Sequence, residues 1–450
     1  MTRFPTRAGL TRRGLLGGAL GAAALLGTAG CGDDSGGGDG SKTLVFWHNF
    51  SQQARADFLR RTADAFEQAN PGVTVKIEVV PFGQIPTKWP AAQAAGTLPD
   101  VTTLLPEHAV SMWQAKALHP MGDVLSALGG GSAFTPGLVD KFAVYDGEPI
   151  LLPYYVHNRL LTYRTDLLAA AGVTLPESPT WDQTLAAATA MTKAPNTYGW
   201  MLKLATSDTG GSYLLSMLTR STGGRIFDGT GKSMLTTAEV RRAADFIVQI
   251  ARTASGPGQV NYTISDGFNL INSGKTAISE ESAAVIATAV QQAPDVATKL
   301  ATTFMPRDTA PGHLLGAISV ALPKGKNPSL AREFVKFLYA RQNYVPFLHT
   351  IPLFMFPTLT AASGDEFFGN PTIKKYEPTV RQTLTGIQEG SAPGFEDGPN
   401  PYAGPAISGH AIEKALQSIL VGGVSVADAL STADKELQAT FDTIRTRAGK

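Results

Sequence analysis

Aromatic and hydrogen-bonding side chains recur at the ends of apolar runs in this chain. Thr43-Leu-Val-Phe-Trp47 ends abruptly in His48, Asn49, Phe50 and Ser51, and Leu98-Pro-Asp-Val-Thr-Thr-Leu-Leu105 ends in Pro106, Glu107 and His108. Leu151-Leu-Pro153 runs straight into Tyr154, Tyr155 and His157, and Thr276-Ala-Ile-Ser279 delivers Glu280, Glu281 and Ser282. In open α/β folds ligands collect outside the carboxyl ends of strands, so these tips are candidate binding positions. A small ligand held at such tips would need aromatic faces for its apolar surface and fixed donors and acceptors for its polar groups. Trp47, Tyr154 and Tyr155 can supply the first, and Asn49, Glu107, His108 and Ser282 the second. His48, Tyr213 and Glu281 complete the candidates that the residues themselves offer.

Each candidate also has a plainer reading. Trp47 would equally fill a core, and Glu107 beside His108 would equally cap a helix. At least one of Glu280 and Glu281 is expected on a solvated face. If the other meets the cleft without an arginine partner, its charge suits a hydroxyl-rich or cationic ligand. His157 is read as a satisfied residue at a crossing rather than a contact.

Signatures of catalysis are missing. Gly231-Lys-Ser233 and Gly274-Lys-Thr276 mimic the end of a phosphate-binding loop, but the glycine required five residues earlier is Ile226 or Asn269. There is no Gly-x-Ser-x-Gly elbow and no His-Glu-x-x-His pair, and the sole cysteine is Cys31. The expectation is a binding protein with no catalytic residue, metal or cofactor. The rival class is an extracellular glycan hydrolase, since paired carboxylates exist in any chain of this size.

The elements that must position these residues follow from period and punctuation. Ser51 is a plausible N-cap for a helix carrying Phe58, Leu59, Ala63 and Phe66, stopped at Asn70-Pro-Gly72. Val73, Val75, Ile77 and Val79 then alternate with polar residues as a half-buried strand. Strand, helix and strand in about forty residues make a βαβ unit with parallel pairing. Pro153 argues against a regular central strand and marks a crossing between domains. Thr180-Trp-Asp-Gln183 and Thr236-Thr-Ala-Glu239 read as capping boxes, each opening a helix. The segment 207–213 is too irregular to assign. Leu314 to Leu322 is a strand with glycine inside it, and Asn327-Pro-Ser329 starts a helix with Leu330, Phe334, Phe337 and Leu338 on one side. The stretch 364–408, rich in Gly and Pro, reads as a packed loop before a last helical region.

The N-terminus carries an address. Thr11-Arg-Arg-Gly-Leu-Leu16 and a Leu/Ala/Gly-rich run to Gly30 form a twin-arginine export signal, residues 1–30. Cys31 follows as a lipidation candidate, although Thr28 stands where leucine is usual, and residues 31–41 read as a flexible tether. The 450 residues exceed what one core usually serves. The formal charge of +1 drops to −3 once the four arginines before Gly30 are removed, leaving 34 basic against 37 acidic residues. With no basic block there is no electrostatic case for nucleic acid.

The chain resembles the family 1 extracellular solute-binding proteins of bacterial ABC importers, the group that includes maltose-binding protein. The likeness rests on a series of motifs in the family's order. These are the strand to Phe46-Trp47, Phe66-Glu-Gln-Ala-Asn-Pro-Gly-Val73, Ala95-Gly-Thr-Leu-Pro-Asp-Val101 and Ala117-Leu-His-Pro-Met121. Tyr145-Asp-Gly-Glu-Pro-Ile-Leu-Leu-Pro153, Leu161-Thr-Tyr-Arg-Thr-Asp-Leu-Leu168 with Ala171-Gly172, and Thr180-Trp-Asp182 continue it. Ser273-Gly-Lys-Thr-Ala-Ile278 and Asn327-Pro-Ser-Leu-Ala-Arg-Glu-Phe334 complete it. The resemblance implies an α/β, two-lobed, type II periplasmic-binding-protein-like fold that closes on a small ligand between its lobes. It implies a first lobe of 42–152 plus 277–317 and a second of 153–276 plus 318–450. Tyr154 and Tyr155 would lie at the first hinge, and Gly316-Ala317 near the last crossover.

Phe46-Trp-His48 with Glu107 is similar to the glycerol-phosphate-binding branch, where Phe82, Glu107, Ser282 and Gly316 fall on ligand-touching positions. That branch's phosphate arginine has no counterpart in Gly398-Pro-Asn-Pro-Tyr-Ala-Gly404. A neutral sugar or polyol therefore stands ahead of glycerol phosphate or a glycerophosphodiester. The implied partners are ABC permease subunits, with the chain a monomer held at the outer side of the cytoplasmic membrane by its lipid.

Overall fold

The computed structural model describes residues 42–81 and 84–447, so Cys31, the export signal and Phe82 lie outside the described residues. Among the described residues twelve strands follow in chain order: β1 (Lys42–His48), β2 (Val73–Val79), β3 (Val101–Leu104), β4 (Leu118–His119), the hairpin β5 (Val144–Tyr145) and β6 (Glu148–Pro149), β7 (Leu152–Arg164), β8 (Tyr198–Trp200), β9 (Thr276–Ser282), β10 (Leu300–Thr303), β11 (Leu315–Pro323) and β12 (Phe356–Pro357). The main sheet runs β2-β1-β3-β11-β7-β9-β8, with β4 on β11 and both β10 and β12 on β7.

The βαβ expectation holds. β1 pairs in parallel with β2 from Lys42↔Val73 to His48↔Val79, and the helix Gln53–Ala69 crosses over between them. That helix starts after Gln52 with no side-chain cap, so Ser51 does not cap it. Thr180 and Gln183 do form a complete capping box. The second box does not form: Thr237 rather than Thr236 caps the helix Ala238–Thr253, accepting from the Val240 amide, and valine cannot return the bond.

β7 organises the rest. Its first half pairs with β11 from Leu152 to Asn158, and its second half pairs with β9 from Arg159 to Tyr163. The register slips between Ile318 and Ser319, opposite Pro153 and Tyr155. Such an irregularity absorbs a proline that cannot donate to the ladder, so a thirteen-residue strand survives where a break was expected.

The pairing also corrects the boundaries taken from the resemblance. β9 and β10 stay on the second half of β7, so 277–303 does not return to the first group of strands. The return comes at β11, which pairs with β3 and β4. The helix Pro328–Tyr339, expected with the second lobe, packs on the first group instead. Phe334 is fully buried and meets Phe46 and Phe66 edge-on at 5.3 and 5.0 Å.

The unassigned segment 207–213 meets a helix, and the stretch 364–408, read as a packed loop, is corrected to a largely helical one. Residues 207–213 lead into the helix Gly210–Ser221, and 364–408 holds four short helices, including Glu377–Glu389 and Ala403–Ser408. Proline at the start of each of two of them, at Pro371 and Pro378, suits a helix's first turn.

Phe334→Ala is expected to lower stability by about 3–5 kcal/mol, because it removes a fully buried ring packed between Phe46 of β1 and Phe66 of the helix Gln53–Ala69. Urea denaturation checks it, and a loss under about 1 kcal/mol would show that this contact does not tie the helix to the sheet.

Candidate functional site

Where β7 passes from β11 to β9, a cavity of about 60 Å³ opens. Six residues give it its chemistry: Glu107, His157, Arg159, Tyr213, Gly316 and Ala317. Phe142, Phe395 and Ile407 make an apolar wall. This mixture of aromatic faces and a few fixed polar groups is that of a small-molecule site.

Glu107 enters from the end of β3, where Pro106 opens the helix Pro106–Gln114 and Glu107 falls in its first turn. A helix N-terminus favours its charge, but burial outweighs this and raises the carboxyl pKa from 4.5 to about 7. The carboxyl is crowded by protein yet borders the cavity. Across from it lies the helix Ala403–Ser408, packed so closely that a Cβ on Gly404 would sit 2.6 Å from the Glu107 carbonyl oxygen.

Arg159 comes from the middle of β7. Its Nη1 donates to Glu281 Oε2 at 2.8 Å and to the Glu280 carbonyl at 3.2 Å, and its guanidinium stacks 4.7 Å from the centre of the Tyr213 ring. Its Nε–H is buried without a protein partner. Behind it Lys203 Nζ pairs with Glu280 Oε1 at 2.7 Å and stands 3.6 Å from Glu281 Oε1. Trp200 Nε1 donates to the other oxygen of Glu280 at 2.6 Å. Burial resists ionisation of both acids. For Glu280 the adjoining Lys203 and the Trp200 hydrogen bond overcome it and hold the pKa low, whereas for Glu281 burial wins over Arg159 and Lys203 and the pKa is raised.

His157 and Gly316 face each other across the β7–β11 pair, and a Cβ at 316 would fall 2.3 Å from His157 Nε2. Glycine is required there by the close approach of the ring. Burial, reinforced by Arg159 and Arg55, lowers the His157 pKa to about 3, so the imidazole is neutral at pH 7. Burial likewise pushes the Tyr213 hydroxyl well up, with the Glu107 charge adding to it.

Of the sequence candidates, the structure brings Glu107, Tyr213, Gly316 and Ala317 together at the cavity. Glu281 stands behind Arg159, and Ser282 lies opposite Arg159 in the ladder. His108 sits one residue along from Glu107 and is not on the cavity wall. Several expectations are corrected. Trp47 packs edge-on against Trp89 at 6.2 Å, with Lys88 4.6 Å over its ring, beside a separate cavity of about 10 Å³. Tyr154 is core, stacked on Phe347 at 4.9 Å. Tyr155 is buried too and accepts from Arg55 Nη1 at 3.3 Å. His48 and Asn49 are buried at the β1 tip, away from the cavity wall. Glu280 and Glu281 are both buried, with cationic partners, so neither is on a solvated face.

Two polar liners were missed or misread. Arg159 was not singled out, and His157 is a cavity liner with an unpartnered Nδ1 rather than a satisfied residue. The signal was present: Tyr155, His157 and Arg159 recur at every second position, the period of one strand face.

The model of the family described as "Bacterial extracellular solute-binding protein" matches residues 50–345. A mannitol-binding protein of Pseudomonas aeruginosa is 28% identical over 224 residues, 49% of this chain and 50% of that protein. The chain spans about half the length of the curated relatives it matches. Among solved structures, an ABC transporter solute-binding protein from Thermotoga lettingae, bound with α-D-tagatose, superposes with a TM-score of 0.77 at 20% identity, covering 89% of this chain and 100% of that one. One from Agrobacterium vitis, with bound D-mannitol, gives 0.72 at 23%, covering 91% and 99%. These likenesses establish the fold as the two-lobed α/β, type II periplasmic-binding-protein fold.

The raised pKa of Glu107 gives a pH test. Between pH 4.5 and about 7 the folded protein holds a proton that the unfolded chain releases. The stability this contributes is full below pH 4.5 and lost as pH rises through 7. Glu107→Gln, which cannot ionise, is therefore expected to match the parent's melting temperature at pH 5 and exceed it at pH 8.5. A difference equal at both pH values would contradict the assignment.

Proposed function

From the premise that the chain belongs to the bacterial extracellular solute-binding protein family, we propose that it captures a polyhydroxylated small molecule of the sugar or polyol class between its lobes and presents it to an ABC permease. The observation that carries this reading is the cavity at the β7 crossing. There a carboxyl (Glu107), a guanidinium (Arg159), an imidazole (His157) and a phenol (Tyr213) converge against apolar walls. Glu107 can accept from hydroxyls when ionised and donate to them when protonated, and the free Arg159 Nε–H is a fixed donor. Tyr213, Phe142 and Phe395 offer faces to C–H groups.

No covalent step is needed. Glu107 and Tyr213 approach from different chain segments, so a ligand touching both is held best when the lobes are together. Closure is then a shift of population toward the state that makes both sets of contacts. The tagatose and mannitol bound by the similar proteins support the substrate class.

The reading extends to the N-terminus. The twin-arginine signal and Cys31 support a reading in which the protein is exported, held at the outer side of the cytoplasmic membrane by lipid on Cys31, and works as a monomer. Cys31→Ser is expected to move the protein from the membrane to the soluble fraction, and unchanged fractionation would remove the anchor from the account.

Thermal-shift screening against hexitols, pentitols, ketohexoses and their oxidised acids tests the binding reading. A ligand at one hundred times its Kd adds about 2.7 kcal/mol of stability, a readily measured rise in melting temperature. Gly316→Val, which drives a side chain into His157, is expected to abolish that rise. The sugar-class reading fails if no compound of the panel shifts the parent, or if release of reducing ends shows the protein to be a hydrolase.

A further inference from the structure

Away from β7 the two groups of strands are joined by Lys141. Its Nζ donates to the Gly390 carbonyl at 2.9 Å and to the Gln388 carbonyl at 3.2 Å. Lys141 lies in the short helix Leu138–Phe142, which stays with the first group. Just after that helix the Ile150 amide donates to the Ala143 carbonyl, and just before it Phe134 meets Tyr339 of the helix Pro328–Tyr339 edge-on at 6.2 Å. The helix Glu377–Glu389 stays with the second group, because Thr302 of β10 bonds Thr379 at 2.8 Å and Gln382 Oε1 at 2.6 Å. Among the described residues, no other side chain of 42–151 or 318–370 is hydrogen-bonded to 159–313 or 371–447.

The receiving end suits a cation. The last carbonyls of a helix have no partner within it, and together they carry the negative end of its dipole. The helix Glu377–Glu389 has no basic residue in its last turn and ends at Gly390. Arg220, from the helix Gly210–Ser221, reaches the Glu389 carbonyl at 3.4 Å while paired with Glu396 at 3.5 Å. The Gln388 and Gly390 carbonyls are left to Lys141. Burial, with Arg220 adding to it, lowers the Lys141 pKa below the usual lysine value, so the contact costs hydration that its two carbonyl bonds offset. The next residue, Phe142, lines the ligand cavity and meets Phe395 of the second group at 5.8 Å. Cavity wall and lysine contact therefore form in the same movement.

We infer that Lys141 is a positioning residue for capture, a latch that sets the balance between closed and open lobes without touching the ligand. This rests on the lobe closure proposed above and not on which ligand is bound. The latch and the ligand contacts are made in the same closed state, so the latch multiplies that population whatever occupies the cavity. A charged donor on two helix-terminal carbonyls is worth about fivefold in the balance. Lys141→Met keeps the apolar stem and removes the head group, which isolates the charge.

Double electron–electron resonance between nitroxides on Ala65→Cys and Ala439→Cys decides it. Both positions are exposed, one on the helix Gln53–Ala69 of the first group and one on the helix Val426–Arg447, which Asp434 ties to Ser233 of the second at 2.5 Å. The Cys31→Ser background holds no other cysteine. Each protein is measured alone and with D-mannitol. The expected parent shows two separations, one of them that of the closed structure described above. In Lys141→Met the ratio of closed to open falls about fivefold in both conditions, with both separations and the ligand-free melting temperature unchanged, and Lys141→Arg keeps part of the ratio. A role confined to the fold would lower the melting temperature or move the separations, and that result overturns the latch. So does an unchanged ratio in Lys141→Met, or a parent never found at the closed separation. D-mannitol that leaves the parent's ratio unchanged counts against the sugar-class reading alone, and the ligand-free ratios then decide the latch.

Discussion

A guanidinium buried in the middle of a strand dictates its surroundings. Arg159 sits where β7 leaves β11 for β9, and its charge is sustained by Glu281 at 2.8 Å. Glu281 and Glu280 are adjacent on β9, so satisfying Arg159 buries two acids together, and their repulsion calls for a second cation. Lys203 supplies it, and Trp200 completes the hydrogen bonding of Glu280. Removing one member would strand the rest in a medium that screens poorly. The cluster thus fixes the end of β9 against the middle of β7. It also leaves the Arg159 Nε–H without a protein partner, and Arg159 and Tyr213 both line the cavity.

The same crossing explains why the cavity is there. β7 is bordered by β11 and β12 in its first half and by β9 and β10 in its second. At the changeover neither neighbour continues, and the side chains of His157 and Arg159 have open space beside them. Gly316, forced to be small by the His157 ring, keeps that space from filling. Glu107 reaches it because β3 ends one residue before the helix whose first turn it occupies.

Much of this was legible in the sequence. Local period and the Asn70-Pro-Gly72 stop were enough for the first βαβ unit, and the tip at Glu107 stood out by its residue types. Gly316 and Ala317 were legible through the resemblance. What failed depended on contacts distant in sequence. Trp47 and Tyr154 were read as cleft aromatics because an aromatic at a strand tip does not reveal which face packs. Trp89 claims one and Phe347 the other. Glu280 and Glu281 looked like surface acids because their partners, Lys203 and Arg159, are about 80 and 120 residues away. Pro153 suggested a break because the compensating irregularity lies in β11.

The central claim is that the ligand is held at the β7 crossing, between the Glu107 and Arg159 sides of the cavity. A crystal structure with whichever sugar, polyol or sugar acid most raises the melting temperature tests it most directly. The account predicts density for that compound within hydrogen-bond distance of Arg159 and Glu107, with a ring or carbon chain against Tyr213. Density elsewhere, with the Arg159 Nε–H still unpartnered, would contradict it.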